Sequence, residues 1–310
     1  MRNAFSNALL QAALNDPRVI LLTGDHGYAL FDEFRQRCPD QYINAGVAEQ
    51  NMVGVAAGLA KAEFRPIVYG LSAFVPIRVL EQIKLDVCYE NLPVIFIGDG
   101  AGVVYSALGS SHQSTEDIAA LRALPNMGIL SPCDAFEMTR CFELALALER
   151  PIYLRMGKAD LGNVHSAVPQ FQRGDLLELK SGMGSIAFLA TGSMVVKALE
   201  LSEHWADSAV WSVPSIKPLN ANTITSICQR HRVVAVLEEH SIYGGLGGAI
   251  SEISSSHAPT WVFKVGVKDR FSQYCGSYDY LMREHGLTVQ QIQVSLEQFV
   301  APLGIAPCNI

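Results

Sequence analysis

The sequence predicts an α/β protein of two domains, each built on a mainly parallel sheet flanked by helices. Its length of 310 residues corresponds to about two domains of ordinary size. Apolar runs of strand type alternate with helical patterns in both halves, which is typical of parallel sheets with helices on both faces. Residues 157–183 lose this alternation, are polar and contain Gly and Pro, as expected of a connection between domains. We therefore predict domains over residues 1–165 and 180–310.

The first half supplies the clearer pattern. Its predicted strands are Val19–Leu22, Tyr42–Asn44, Pro66–Tyr69, Val94–Ile97, Gly128–Leu130 and Ile152–Arg155. Its predicted helices are Arg2–Leu14, Ala48–Ala62, Ile77–Glu90, Thr115–Arg122 and Asp134–Leu148. Asp134 follows Pro132 and suits the N-cap of the last of these helices, because its carboxylate can accept hydrogen bonds from free backbone amides.

The second half repeats the alternation. Its predicted strands are Ser185–Ala190, Ala209–Val213, Val233–Glu238 and Thr260–Lys264. Its predicted helices are Met194–Ser202, Ala221–Gln229, Leu246–Ser255 and Val289–Val300. We expect these elements to form a second sheet with its own flanking helices.

Composition excludes several classes of function. Hydrophobic residues make up 49% and charged residues 17%, with a net charge of −7, so the chain has core-forming material and no basic surface for nucleic acid. No apolar run reaches the roughly 18 residues that span a membrane, and the N-terminus has the pattern of an amphipathic helix, not of a signal peptide. The seven cysteines are scattered without a CxxC pair, which predicts reduced thiols in the cytoplasm and no zinc ligands on this chain.

The most informative stretch is residues 44–52, NAGVAEQNM, where a strand ends, a Gly turn follows and a helix opens. Glu49 lies in the first turn of that helix, where an acid is favoured by the helix dipole whatever its function. The pattern N-x-G-x-x-E-Q-N-M, however, resembles the pyrimidine-binding domain of transketolase and of 1-deoxyxylulose-5-phosphate synthase. The resemblance implies that Glu49 hydrogen-bonds N1′ of the aminopyrimidine of thiamin diphosphate and so sets the tautomer that activates this cofactor. In a largely apolar pocket an acid can hold a proton near neutral pH.

The resemblance continues along most of the chain. The family's turn after the first strand is similar to Gly24-Asp25, and its H-Q-x-x-E-D segment is similar to residues 109–117, GSSHQSTED. Its P-x-x-x-R strand is similar to residues 151–155, PIYLR, and its C-terminal domain carries a turn similar to residues 238–247, EEHSIYGGLG.

Roles for individual residues are implied by this resemblance. Asp25 and Phe74 would help to bind the cofactor, with the ring of Phe74 stacked on the aminopyrimidine. His112 would stabilise the alkoxide that develops on the substrate carbonyl, or move its proton. His26 would contact the substrate.

Two arginines complete the predicted substrate site. Arg155, at the end of a strand, would hold a phosphate or carboxylate of the substrate, with a surface or interdomain ion pair as the alternative. Arg2 lies where transketolases carry an arginine for phosphate, although simple solvation so near the terminus is the alternative.

Two glycine-containing patterns are treated as structural. Gly98-Asp99-Gly100, followed later by Asn126, mimics the motif for diphosphate and metal, but the segment corresponds to the pyrimidine-binding domain. Residues 245–248, GLGG, lack the third glycine of a dinucleotide fingerprint, because Ile250 stands there.

The family's diphosphate-binding domain does not match any part of the chain, so we expect a partner subunit that binds the diphosphate through Mg²⁺. The predicted assembly is α2β2, with no metal ligand on this chain. The expected reaction moves a two-carbon ketol unit from a ketose to an aldehyde. The alternatives are the beta subunit of a 2-oxo-acid dehydrogenase, or of another acyl-transferring thiamin enzyme, and a catalytically silent subunit.

Three positions depart from the family's sugar-binding pattern. Leu108 replaces an acid that contacts a sugar hydroxyl, and Gly100 and Ala29 replace a His and a Ser that help to hold a phosphate. We therefore expect a donor or acceptor that differs from the common sugar phosphates.

Overall fold

The computed structural model describes residues 1–158 and 160–308. In the first half, six parallel strands form most of one sheet. They are β1 Val19–Thr23, β2 Tyr42–Asn44, β3 Arg65–Leu71, β4 Ile95–Asp99, β5 Gly128–Leu130 and β6 Ile152–Met156. The helices of this half are α1 Arg2–Asn15, α2 Asp32–Arg37, α3 Glu49–Lys61, α4 Leu80–Gln82, α5 Asp117–Arg122 and α6 Ala135–Ala147. All six strands begin and end within two residues of the predicted bounds.

The predicted helix Ile77–Glu90 is irregular. A 3₁₀ turn over Ile77–Val79 leads into α4, and a π-helical segment over Ile83–Cys88 follows it. Helix α2 was not predicted, because its six residues are too few to show a helical period.

The second half contains the remaining strands and helices. Its strands are β7 Leu177–Lys180, β8 Ile186–Ala190, β9 Ala209–Ser212, β10 Ser215–Lys217, β11 Val233–Ser241 and β12 Trp261–Val267. Its helices are α7 Met194–Ser202, α8 Ala221–Arg230, α9 Leu246–His257, α10 Tyr278–Glu284 and α11 Val289–Val300. Two of these helices, α7 and α11, have the predicted bounds, whereas β7, β10 and α10 were not predicted.

Two sheets organise the chain. The first has the order β10-β5-β6-β4-β3-β1-β2, and the second has the order β12-β11-β8-β9-β7. Within the first sheet only β10 is antiparallel, and within the second only β7 is antiparallel. The mainly parallel α/β architecture predicted from the sequence is therefore confirmed.

Strand β10 ties the two halves together. It follows β9 of the second sheet in sequence, yet it pairs with β5 of the first sheet, with Ser215 opposite Leu130. In the same region the hydroxyl of Thr191 donates to the carbonyl of Ser131 at 3.1 Å. The domain bounds at 165 and 180 stay a prediction, and the two halves share a sheet and hydrogen bonds across it.

Apolar side chains fill both faces of the first sheet. On one face α1 and α6 pack together, with Phe5 stacked on Tyr69 of β3 at a ring-centroid distance of 6.1 Å. On the other face α3 buries Met52, Val53 and Ala56, whose spacing places them on one side of the helix. Parallel strands buried on both faces read as continuous apolar runs, which is why they could be located from the sequence.

Because the first six strands are parallel, their carboxyl ends lie along one edge. Thr23, at the end of β1, stands opposite Asn44 of β2 and Tyr69 of β3. Asp99 of β4 stands opposite Met156 of β6. The loops that carry the predicted site residues leave from this edge, where ligands bind in open α/β sheets. Among the described residues, no helix is long and apolar enough to cross a membrane.

Candidate active site

The chain turns sharply between β2 and α3 to place Glu49. Gly46 adopts a φ of 67°, a left-handed conformation that glycine reaches without steric cost. Glu49 then occupies the first position of α3, with its side chain only 4% exposed. Gly24, after β1, lies against it: a Cβ at Gly24 would stand 3.8 Å from Cγ of Glu49. The two loops bring the acid to the carboxyl edge of the sheet.

Glu49 has a charged neighbour that the sequence did not suggest. Nη1 of Arg78 donates to Oε2 of Glu49 at 3.0 Å, and the arginine side chain is 45% exposed. The same guanidinium lies over the ring of Phe74, 4.1 Å from its centroid. The prediction of a largely apolar pocket around Glu49 is therefore wrong in one respect, because the side chain of Arg78 forms one wall of that pocket.

Two histidines flank Phe74. The ring of His112 lies 5.3 Å from that of Phe74 with an interplanar angle of 65°, and the ring of His26 lies 6.3 Å away. Nε2 of His26 is buried and has no hydrogen-bond partner, while Nδ1 of His112 lies 3.0 Å from the hydroxyl of Ser111. The structure thus brings together four of the residues predicted from the sequence: Glu49, Phe74, His26 and His112.

Asp25 stands at the rim of this group. Its side chain is exposed, with a backbone φ of 61°, and its carboxylate accepts a hydrogen bond from the hydroxyl of Tyr28 at 2.8 Å. This hydrogen bond lowers the pKa of Asp25. The backbone amide of Asp25 donates to Oδ1 of Asn44 at 3.2 Å, so the residue also joins the loops after β1 and β2. Its contact with the cofactor stays a prediction.

Arg155 does not face an open cleft. Its side chain is 3% exposed, and its Nε donates to Oδ2 of Asp117 at 2.8 Å. Its Nη2 donates to the carbonyls of Glu239 at 2.9 Å and Ser114 at 3.3 Å. The prediction that Arg155 holds a substrate anion is wrong, because burial and these protein partners leave its guanidinium no access to a ligand. Its ion pair with Asp117 lies within the first half of the chain, and its hydrogen bond to the carbonyl of Glu239 links that half to the second.

Arg2 is half-exposed and paired with Asp99. Its Nη2 lies 3.4 Å from Oδ2 of that carboxylate, which also accepts hydrogen bonds from the hydroxyls of Tyr69 at 2.7 Å and Tyr105 at 3.1 Å. A role in phosphate binding stays a prediction, since Arg2 would have to share its charge between Asp99 and the ligand.

The glycine patterns set aside from the sequence are structural. Asp99, the acid of the first pattern, takes part in the network with Arg2, and the amide of Asn126 donates to the carbonyl of Cys88 at 2.9 Å. In the second pattern Glu238 accepts hydrogen bonds from the amides of Leu246 and Gly247 at 2.7 and 2.8 Å. The second pattern therefore begins α9 with a carboxylate cap and not with a bound phosphate.

Sequence reasoning missed Arg78 and Glu239. Glu239 accepts a hydrogen bond from the amide of Val103 at 2.7 Å and from the hydroxyls of Ser193 and Tyr278 at 2.5 and 2.6 Å. Neither residue stands out along the chain, because each acts through partners from distant segments. Glu239 could have been noticed because it follows another glutamate, Glu238, in the C-terminal motif. Arg78 could have been noticed because it follows Phe74 by four residues.

Comparisons with known proteins agree with this architecture. The sequence profile "Transketolase, pyrimidine binding domain" matches residues 1–163, and "Transketolase, C-terminal domain" matches residues 177–292. The chain is 33% identical over 297 residues to the 6-deoxy-6-sulfo-D-fructose transketolase subunit SqwH of Clostridium sp. (strain MSTE9), covering 94% of this chain and 92% of that protein. It is 32% identical to an apulose-4-phosphate transketolase subunit of Phocaeicola vulgatus, covering 96% of this chain and 97% of the relative.

A solved structure is similar over nearly the whole chain. It is described as a split gene transketolase, an inactive beta4 tetramer, and it superposes with a TM-score of 0.86. The two sequences are 30% identical, and the match covers 96% of both chains.

Proposed function

The chain belongs to the transketolase family, and from that premise we propose that it is the pyrimidine-binding subunit of a two-chain, thiamin-diphosphate-dependent transferase. The enzyme would move a two-carbon ketol unit from a ketose donor to an aldehyde acceptor. The observation that carries this proposal is the buried carboxylate of Glu49, placed beside Phe74, His26 and His112 at the carboxyl edge of the first sheet.

The residues present fit a flat heteroaromatic ring. Glu49 uses Oε2 for Arg78, which leaves Oε1 available for a ring nitrogen. Buried polar atoms without partners, Nε2 of His26 and Oγ of Ser72, lie on the same edge. Phe74 is half-buried, so part of its ring is open to stacking. Because Arg78 covers one face of that ring, a ligand would use the other face or displace the arginine.

Each residue then has a definite task. When bound, thiamin diphosphate supplies a nucleophilic carbon and an electron sink for the transfer. Glu49 would share a proton with a nitrogen of the pyrimidine ring, and Phe74 would orient that ring by stacking. His112 would hold or move a proton at the oxygen of the substrate carbonyl, with Ser111 orienting its ring through Nδ1.

The proposal includes a partner subunit. Two relatives that match over nearly their whole length are named as transketolase subunits. We infer that the diphosphate and Mg²⁺ are held by a second chain, in an α2β2 assembly. The site in this chain would then be completed only at the interface, and cofactor binding by this chain alone would be weak.

The substrate is proposed to differ from the common sugar phosphates. At Gly100 a side chain has no room, because a Cβ there would collide with the ring of Tyr105. Leu108 is exposed and apolar where the family pattern carries an acid, and Ala29 lacks a hydroxyl. One relative is named as a 6-deoxy-6-sulfo-D-fructose transketolase subunit, and another is named as an apulose-4-phosphate transketolase subunit. The names of similar proteins therefore specify different sugar substrates. We propose a modified or unphosphorylated sugar as donor or acceptor.

The alternatives receive less support. The relatives compared above are transketolase subunits, which favours ketol transfer over the beta subunit of a 2-oxo-acid dehydrogenase. A catalytically silent subunit would not need a buried acid beside Phe74, His26 and His112.

The test is reconstitution with the diphosphate-binding partner. The complex should transfer a two-carbon unit from at least one member of a panel of ketoses to an aldehyde, and should require thiamin diphosphate and Mg²⁺. Turnover of xylulose 5-phosphate with ribose 5-phosphate at ordinary transketolase rates would contradict the proposed substrate class. Transfer that needs a lipoyl acceptor would contradict the proposed reaction.

A further inference from the structure

A second cluster of chemically reactive side chains lies where the end of β5, the interdomain connection and β9 meet. Sγ of Cys133, a carboxylate oxygen of Glu137 and a ring nitrogen of His165 all lie within 4.8 Å of one another. None of the three takes part in the site proposed for the cofactor. Cys133 and Glu137 are buried, and only 12% of the His165 side chain is exposed.

Local structure explains how Cys133 and Glu137 meet. Cys133 lies directly before Asp134, the N-cap of α6, and Glu137 lies in the first turn of that helix. Oε2 of Glu137 accepts a hydrogen bond from the amide of Cys133 at 2.8 Å, which turns the carboxylate back toward the helix start. Oε1 of the same carboxylate is left free to face another group.

The ring of His165 is held in one orientation. Its Nδ1 lies 3.1 Å from Oδ2 of Asp134, and the same oxygen accepts hydrogen bonds from the amides of Val164 and His165 at 2.9 and 2.8 Å. An Nδ1 proton directed at a carboxylate leaves a lone pair on Nε2. A histidine oriented in this way by a carboxylate is the usual arrangement of a metal-binding imidazole.

The ring of His165 and the carboxylate of Glu137 face each other without a hydrogen bond. Nε2 of His165 lies 3.7 Å from Oε1 of Glu137, which is beyond hydrogen-bond distance. Oε1 of Glu137 and Oγ of Ser212 from β9 are buried and make no hydrogen bond of normal geometry, although Ser212 lies close to both Cys133 and Glu137. A buried carboxylate oxygen directed at a lone pair is costly unless a cation or a proton lies between them.

We propose that Cys133, Glu137 and His165 form a closed structural site for one Zn²⁺ ion, with Ser212 or a water as the fourth ligand. Thiolate, imidazole and carboxylate are zinc ligands, and the sulfur and nitrogen donors disfavour Mg²⁺ and Ca²⁺. With bond lengths of about 2.0 Å to nitrogen or oxygen and 2.3 Å to sulfur, the ligand atoms of tetrahedral zinc lie roughly 3.3–3.7 Å apart. A nitrogen and an oxygen lie at the short end of this range, about 3.3 Å apart, so the 3.7 Å separation of Nε2 and Oε1 would have to shorten by about 0.4 Å on binding.

Charge also favours the ion. On binding, a bond forms between Sγ of Cys133 and zinc, the thiol proton leaves to solvent, and no atom changes oxidation state. One thiolate and one carboxylate then neutralise the two charges of Zn²⁺. A buried site without net charge avoids the cost of an unpaired ion in the interior.

The ligands join segments that are distant in the chain. Cys133 and Glu137 belong to the first domain, His165 to the predicted connection, and Ser212 to a strand of the second sheet. An ion at this point would hold the connection against both domains. It would therefore stabilise the folded chain and raise its melting temperature as the Zn²⁺ concentration rises.

The test uses the full chain, purified and dialysed, with metal content measured by mass spectrometry. We expect about one Zn²⁺ per chain, and a Co²⁺-substituted sample with the visible bands of tetrahedral cobalt and a cobalt–thiolate charge-transfer band. Cys133→Ser should lose the charge-transfer band. His165→Gln and Glu137→Gln should weaken zinc binding at least ~10-fold, as loss even of an outer-shell partner does. The exposed positions Cys275 and His257 supply matched controls, C275S and H257Q, which should leave both measurements unchanged.

Two results would overturn the assignment, and the first needs no variant. The first is a folded wild-type chain that takes up no Zn²⁺ or Co²⁺ and whose melting temperature does not respond to Zn²⁺. A proton shared between His165 and Glu137 would then account for the cluster. The second is a charge-transfer band that persists in Cys133→Ser and disappears in Cys275→Ser, because the metal would then lie elsewhere.

Discussion

Two buried carboxylates of the first domain are each paired with an arginine, and the two pairs are built differently. Oε2 of Glu49 lies 3.0 Å from Arg78, whose side chain is 45% exposed. Oδ2 of Asp117 lies 2.8 Å from Arg155, which is almost completely buried. Asp117 also accepts a hydrogen bond from the hydroxyl of Tyr153 at 2.7 Å.

The difference lies in what each arginine can do. Arg155 is held by Asp117 and by carbonyls of both domains, so removing either charge leaves the other buried without a partner. Arg78 can move its guanidinium into water at little cost, because exposed ion pairs contribute about 0–1 kcal/mol. A buried acid paired with an exposed arginine can exchange that arginine for a ligand. A buried acid paired with a buried arginine instead stabilises the packing of the two segments that carry them.

The largest effect is expected at Glu49. In the reconstituted enzyme, Glu49→Gln should lower kcat by about 10²–10⁴-fold, because the amide cannot share a proton with a ring nitrogen as the acid does. Urea denaturation of the variant chain should stay within about 1 kcal/mol of wild type, since the partner Arg78 is exposed. Glu81→Gln, an exposed acid on the neighbouring segment, is the control. A fully active Glu49→Gln enzyme would remove the basis of the proposed mechanism.

Replacing Arg155 should act on stability. Arg155→Met leaves Asp117 buried without its cation and should cost about 3–5 kcal/mol of unfolding free energy, measured by urea denaturation. The double variant with Asp117→Asn should recover part of this loss, because no charge then remains unpaired. If the single variant kept its stability but lost substrate affinity in the complex, Arg155 would be a substrate ligand after all.

Low pH should weaken the ion pair between Asp117 and Arg155. Burial alone would raise the pKa of Asp117, but the charges of Arg155 and His240 and the hydrogen bonds from Arg155 and Tyr153 outweigh it and lower the pKa. Because the folded-state pKa lies below the unfolded value of about 3.9, this carboxylate stabilises the fold above about pH 4. That contribution should be lost as the pH falls through the folded-state pKa. Urea denaturation from pH 7 to pH 3 should show a shallower acid dependence in Asp117→Asn than in wild type.

The smallest effect is expected at Arg78. Arg78→Ala removes one cation–π contact and an ion pair whose arginine is half-exposed and whose acid is buried. With each contact of the order of 0.5–1 kcal/mol, the stability of the chain should fall by about 1–2 kcal/mol, less than the loss expected at Arg155. In the complex, the apparent affinity for thiamin diphosphate should change by less than about 20-fold, with Arg35→Ala as an exposed control away from Phe74. A loss of stability as large as that at Arg155 would mean that the two pairs do not differ in the way described.

Much of the architecture could be predicted from the sequence because its signals are local. Buried parallel strands are continuous apolar runs, and the Asp134 cap of α6 follows from residue type and position, with hydrogen bonds to the amides of Phe136 and Glu137 at 2.9 and 2.8 Å. The order of strands and loops then brings Glu49, Phe74 and the two histidines to one edge. Short elements such as α2 and β10 gave no such signal, since a few residues show no period and β10 is defined by its pairing with β5.

The amino-acid sequence by itself determined the family, the α/β class and the acid at position 49, because each depends on residue types at near neighbours in the chain. Only the tertiary structure decided which arginine is free and which is buried, and which cysteine meets a histidine 32 residues away. Those properties depend on burial and on the distance between segments remote in sequence, which no spacing along the chain records. Arg155 and Arg78 are chemically identical, and their different roles arise from the partners that folding places around each guanidinium.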